Sequence, residues 1–164
     1  MFDETNLEDG TSLSELETRS IDLAVRVAEF LGLPRSMGEL YGLVFISQHP
    51  VNTDQLIERL HVSRGSASQG LAALKRIGAV RSQYLSGDRR EYFVAENNLN
   101  YLLQGFLKER IEPALSDLAN RLATLEEEVG QSGNQHYLER LEKVKSWRNK
   151  IEHHLPALVK ALSS

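Results

Sequence analysis

The chain has 164 residues, room for one ordinary domain or a small domain with a helical appendage. Its 41% hydrophobic content suffices for a core, and the absence of cysteine excludes disulfides, thiolate zinc sites and a cysteine nucleophile. A formal charge of −4 argues against a wholesale nucleic-acid coat but not against a local basic patch.

Residues 1–11 read as a disordered acidic tail. Across the first 20 positions Asp3, Glu4, Glu8, Asp9, Glu15 and Glu17 face only Arg19. That start is the opposite of a secretion signal, and no apolar run approaches the ~20 residues that span a bilayer, so a cytoplasmic protein without a membrane partner is expected. A first helix is expected over 12–31, with Leu16, Leu23, Val27 and Phe30 on one stripe and Ile21, Ala24, Ala28 and Leu31 on another. Two stripes predict a helix buried over a wide face, ended by Gly32.

Ser36 and Glu39 have the spacing of a capping box, followed by Met37, Leu40, Tyr41, Val44 and Phe45 along an amphipathic helix that ends near Gln48. Gly38 and Gly42, four apart, leave a smooth strip for a second helix, and Arg35 can bridge to an acid of that neighbour. After His49-Pro50 comes a short extended piece, Val51-Asn52-Thr53, with Thr53 as cap of a brief helix over 54–60. Ser63 caps the next helix, whose Ala67, Leu71, Leu74 and Ile77 share one face, and Gly78 stands where a terminating glycine belongs. The period then changes: 79–85 and 91–94 are rich in β-branched and aromatic residues around a Ser86-Gly87-Asp88-Arg89-Arg90 turn, which predicts a hairpin with a basic tip.

From Asn98 the chain returns to helix, with Pro113 a bend or a new first turn, a break over 130–134, and a last helix with Pro156 as a second bend. Leu115, Leu118, Leu122, Leu125 and Val129 form a near-heptad stripe. It serves either a dimer seam or an intramolecular helical hairpin. Tyr41, Phe45, Tyr92, Phe93 and Trp147 are expected in the core.

Helix, short extended segment, short helix, turn, helix and basic hairpin, in that order, make a winged helix-turn-helix. The fold class expected is mostly α with a small β-hairpin wing, followed by a helical dimerisation region: tail 1–11, DNA-binding domain 12–97, dimerisation region 98–164. Between Leu60 and Arg90, six cations (Arg64, Lys75, Arg76, Arg81, Arg89, Arg90) face only Asp88, the footprint of a nucleic-acid-binding module. A helix entering the major groove needs a polar, close-fitting outer face, and Ser63, Arg64, Gly65, Ser66, Ser68 and Gln69 supply one. Lys75 and Arg76 farther along suit the phosphate backbone. Arg89 and Arg90 suit the minor groove or flanking phosphates. Double-stranded DNA is therefore the expected partner.

Gly32-Leu33-Pro34-Arg35-Ser36-Met37-Gly38-Glu39-Leu40-Tyr41-Gly42-Leu43 resembles a signature of the GbsR branch of MarR-like transcriptional regulators. Val62-Ser63-Arg64-Gly65-Ser66-Ala67-Ser68 resembles that branch's recognition-helix start, and Gly87-Asp88-Arg89-Arg90 with Tyr92 resembles its wing. The resemblance covers about 23–95 and implies a homodimeric repressor or activator on a near-palindromic operator. A small-molecule effector is compatible with it, as is none. No cofactor is expected, His49, His61, His136, His153 and His154 have no metal-ligand spacing, and no nucleophile elbow or phosphate loop points to an enzyme. The competing expectation is a winged-helix protein–protein adaptor.

Overall fold

The computed structural model describes residues 12–162. The expected acidic tail lies outside them. The chain divides into two compact units, one ending at Asn97 and the other starting at Asn98.

In the first unit, α1 (Glu15–Phe30) starts three residues later than its expected first residue, because Ser14 finds its capping partner in Glu17. Ser14 Oγ accepts from the Glu17 amide at 3.3 Å, and the Glu17 carboxylate accepts from the Ser14 amide at 2.9 Å. Gly32, at φ 67°, ends the helix as expected. Only one of the two apolar stripes is covered: Ile21, Val25 and Ala28 are buried, while Leu16, Leu23, Val27 and Phe30 are 51–88% exposed. The wide buried face is therefore half of what the sequence suggests.

Helix α2 (Arg35–Ile46) begins behind Pro34 with no side-chain cap. The Ser36–Glu39 capping box does not form. The helix starts one residue before Ser36, which places Glu39 four residues after Arg35, and its carboxylate accepts from Arg35 Nε at 2.8 Å. Arg35 thus bridges within its own helix. Gly38 and Gly42 do form the strip on which α1 rides: a methyl on Gly38 would come within 2.5 Å of Val25 Cα.

Strand β1 (Val51–Asn52) leads into α3 (Thr53–Leu60). The cap is Asn52, not Thr53: its side chain accepts from the Gln55 amide, and Gln55 answers at the Asn52 amide. That reciprocity satisfies a buried polar residue. His61 takes the left-handed turn (φ 53°) before α4 (Arg64–Arg76). Strands β2 (Val80–Tyr84) and β3 (Glu91–Ala95) form the expected hairpin, and β1 adds to it, giving a three-stranded antiparallel sheet in the order β1-β3-β2. Val51 pairs with Phe93, Asn52 with Tyr92, and Val80 with Ala95. Leu40, Leu43, Leu56, Val80 and Phe93 are fully buried between helices and sheet. Of the five aromatics expected inside, Tyr92 and Phe93 are buried and Tyr41 half-buried. Burial raises the Tyr41 pKa from 10.0 to about 12, helped by the charge of Glu96, and its hydroxyl donates to the Glu96 carbonyl. Phe45 and Trp147 lie at the surface, the latter on the second unit.

Arg59 of α3 reaches Glu17 of α1 at 2.7 Å, with side chains 17% and 20% exposed. Burial pushes the Glu17 carboxyl up, but the Arg59 guanidinium and the Ser14 hydrogen bonds outweigh it, and the net pKa lies below the ordinary 4.5. A carboxyl depressed on folding stabilises the fold above its unfolded pKa, and the contribution is lost as pH falls through the folded value. Glu17→Gln keeps a capping residue but leaves Arg59 without a counter-charge. It should cost about 1–2 kcal/mol at pH 7 and flatten the loss of stability below about pH 4.5. Urea titrations at pH 7 and pH 3 check this: equal destabilisation at both would remove the ion pair from the account.

In the second unit, α5 (Leu99–Phe106) runs into a π turn (Leu107–Ile111) and then α6 (Glu112–Ser132). The π turn answers Pro113, which lacks an amide hydrogen and would crowd the carbonyl four residues back. The wider turn, with the Glu112 amide on the Leu107 carbonyl, absorbs both problems. Gly133, at φ 66°, ends α6, and α7 (Gln135–Leu162) continues through Pro156. Helices α6 and α7 pack on each other, with Lys145 on Glu126 at 2.7 Å. The near-heptad stripe is thus used in part within the chain: Leu122 is buried, Leu115, Leu118 and Val129 half-buried, and Leu125 exposed.

Candidate nucleic-acid interface

Helix α4 is held from beneath and open outward. Ala67, Gly70, Leu71 and Leu74 are buried, whereas Arg64, Gly65, Ser68, Gln69, Lys75 and Arg76 are exposed. Ser63 is exposed and its hydroxyl caps the helix, accepting from the Ser66 amide at 3.1 Å, and Ser66 is half-buried. A methyl on Gly65 would approach only Ser63 Oγ, at 3.9 Å, so the first turn presents bare backbone to an incoming surface. Gly70 does the opposite work: a methyl there would meet Leu40 Cδ1 at 2.4 Å, so the glycine lets α4 lie close on α2.

The wing is an ordered turn. Gly87 takes φ 82°, and the Asp88 carboxylate accepts from the Arg90 amide at 2.9 Å, from Arg90 Nη2 at 2.6 Å and from the Tyr92 hydroxyl at 2.7 Å. These bonds, the Arg90 side chain first, hold the Asp88 carboxyl well below the usual carboxylate range. The Arg90 guanidinium also lies 5.7 Å from the Tyr92 ring centroid. Arg90, though its side chain stays 58% exposed, is therefore tied into the turn by Asp88, and Arg89 beside it is an exposed cation of the tip without such a tie.

Other cations are engaged too. Lys75 Nζ is 2.8 Å from Glu91 Oε1 and 5.6 Å from the Phe93 ring centroid, and Ser82 Oγ donates to the same Glu91 oxygen. This ties the end of α4 to the sheet. Arg64 Nη2 is 2.6 Å from Asp54 Oδ1, and Arg81 lies 3.8 Å from Glu96. The acids responsible, Asp54, Glu91 and Glu96, lie outside the stretch between Leu60 and Arg90, which is why a linear count missed them. The signals were the turn between α3 and α4, which brings Asp54 to Arg64, and the β2–β3 hairpin, which carries Glu91 and Glu96 beside Lys75 and Arg81. Among the described residues of this surface, Arg76 and Arg89 have no intramolecular carboxylate.

Among the described residues no helix is long and apolar enough to cross a membrane, and no three His, Asp or Glu side chains gather to hold a metal. The arrangement of α2, α3, α4 and the sheet with its β2–β3 hairpin defines a winged helix-turn-helix protein.

No protein-family model matches the chain. Over 92 residues, 56% of its length, it is 28% identical to the HTH-type transcriptional repressor GbsR of Bacillus subtilis (strain 168). The match covers 51% of that protein, so the chain spans about half the length of this curated relative. A crystal structure of a transcriptional regulator superposes with a TM-score of 0.66 over 90% of this chain and 97% of that one, at 19% identity, which shows the shared fold. The resemblance read from the sequence is thus borne out as a similarity to GbsR over about half the chain, within a winged-helix fold shared with a solved transcriptional regulator.

Proposed function

We propose that this protein is a transcription regulator that binds double-stranded DNA as a homodimer on a near-palindromic operator. The observation that carries the reading is the outer face of α4, polar, small and free of the core, beside an ordered arginine-bearing hairpin. Ser68 and Gln69 present hydrogen-bonding groups suited to base edges, while Ser63, Gly65 and Ser66 at the helix start suit a phosphate. Arg76 and Arg89 suit the duplex backbone. The GbsR repressor to which the chain is similar supports the same class of activity. The first unit then carries the DNA-binding role and the second, with α1, the dimer.

The dimer is supported by apolar surface left over after the chain has folded. Besides the exposed stripe of α1, Tyr137, Val144 and Leu158 stand on α7 at multiples of seven, 41–56% exposed, with half-buried Ile151 in the same row. Two-fold pairing would set two α4 helices about 34 Å apart, the repeat of the groove.

Pairing of four cations with carboxylates also suits an adaptor surface, so the test is ionic. Wild type and variants are titrated against labelled duplex pools over a series of salt concentrations. Arg89→Ala should weaken binding by a similar factor at every sequence and lower the log–log salt slope by about one per protomer. Adding Arg90→Ala should change the slope less, because Asp88 already neutralises that side chain. Wild-type protein with no affinity for any duplex at low salt would leave the adaptor as the reading.

A further inference from the structure

We infer that Asp54 sets the base preference of the α4 surface: as a positioning residue, it holds Arg64 so that the guanidinium reads a guanine edge instead of closing on a phosphate. This deepens the duplex-binding reading above and rests on it.

Asp54 is the second residue of α3 and is not on the recognition helix. Arg64, the first residue of α4, meets it across the turn at His61, with Nη2 to Oδ1 at 2.6 Å. A second cation feels the same carboxylate: the charge of Arg90, held first by Asp88, is also stabilised in small part by Asp54. A carboxylate whose side chain is 59% exposed thus stands between the two cationic elements of the face.

On a surface that only gathers phosphates, such a carboxylate works against affinity. Its physical effect on Arg64 is different. One carboxylate oxygen takes one of five N–H groups of a rigid planar fork, leaving the others for a bidentate contact such as guanine O6 and N7. It also orders a long side chain before binding, and it cancels much of the charge that would draw Arg64 to the nearest phosphate while keeping its directional donors. The face then divides its labour: cations without carboxylates, Arg76 and Arg89, serve the backbone, and Arg64 serves a base.

The test begins by enriching duplexes from a random-sequence pool with wild-type protein. Fluorescence anisotropy then compares wild type, Asp54→Asn, Arg64→Ala and the double variant on the enriched duplex, on copies with each guanine replaced in turn, and on the unenriched pool. Asp54→Asn should bind the unenriched pool several-fold tighter at low salt, with a slope steeper by about one per protomer, and should lose roughly tenfold of the preference for one guanine per half-site. Arg64→Ala should lose the preference for that same guanine. With Arg64 absent, Asp54→Asn should leave the base profile unmoved. The inference is overturned if Asp54→Asn keeps the wild-type slope and base profile, or shifts them equally with Arg64 removed. Wild type that enriches nothing and ignores the pool would instead sink the DNA reading itself, a failure visible before any variant is made.

Discussion

Gly38→Ala should destabilise the first unit by about 2–3 kcal/mol, although alanine is the better helix former by about 1 kcal/mol. The added methyl would lie 2.5 Å from Val25 Cα and 2.9 Å from both the Ala24 carbonyl oxygen and the Val25 amide nitrogen. These are backbone atoms of a helix and cannot swing aside, so α1 as a whole must retreat from α2. Retreat opens the α1–α2 contact, on whose α1 side Ile21, Val25 and Ala28 are buried, and steric cost overrides propensity. Gly65→Ala is the matching control. There the methyl meets one atom at 3.9 Å, and the substitution should stabilise α4 by up to about 1 kcal/mol. Urea midpoints followed by circular dichroism separate the two. A Gly38→Ala protein as stable as wild type would mean that α1 does not ride on this strip.

Leu23→Asp combined with Val27→Asp should convert the proposed dimer to a monomer and weaken operator binding by at least a hundredfold. Both side chains are more than half exposed, 65% and 51%, so the substitutions leave the core of the first unit intact. In a dimer they would place four carboxylates in an apolar seam, where desolvation is costly. Once the protomers separate, the second half-site is no longer bound at the effective concentration that a linked copy provides, and avidity of ~10²–10⁴ is lost. Sedimentation at micromolar concentration gives the assembly state and anisotropy on an enriched duplex gives the affinity. A variant that sediments and binds like wild type would remove α1 from the dimer.

Elements whose signals are local were legible from the residues alone. Ser63 caps α4 because the hydroxyl and the amide it serves are three residues apart, and Gly32 and Gly78 end helices because each takes a positive φ. Where two local signals compete, the sequence misleads. Ser36–Glu39 has the spacing of a capping box, yet the helix starts one residue earlier behind Pro34, and Glu39 pairs with Arg35 instead. Thr53 and Asn52 can both cap α3, and Asn52 prevails because burial makes its own polar groups need partners. The π turn before Pro113 had no sequence signal beyond the proline.

The sequence by itself determined the order of elements, the smooth glycine strip of α2 and the polar make-up of α4's outer face, since each depends on periodicity or on side-chain size along one segment. What only the tertiary structure decided is the electrostatic character of that face. Along the chain it is a basic island with a single acid. In space Asp54, Glu91 and Glu96 reach it from other segments and engage Arg64, Lys75 and Arg81. Charges interact through distance in space, and these pairs, ten to sixteen positions apart, are closed by the turn between α3 and α4 and by the folding of α4 and the β2–β3 hairpin, so a count of charges along one stretch does not show which cations are engaged within the fold.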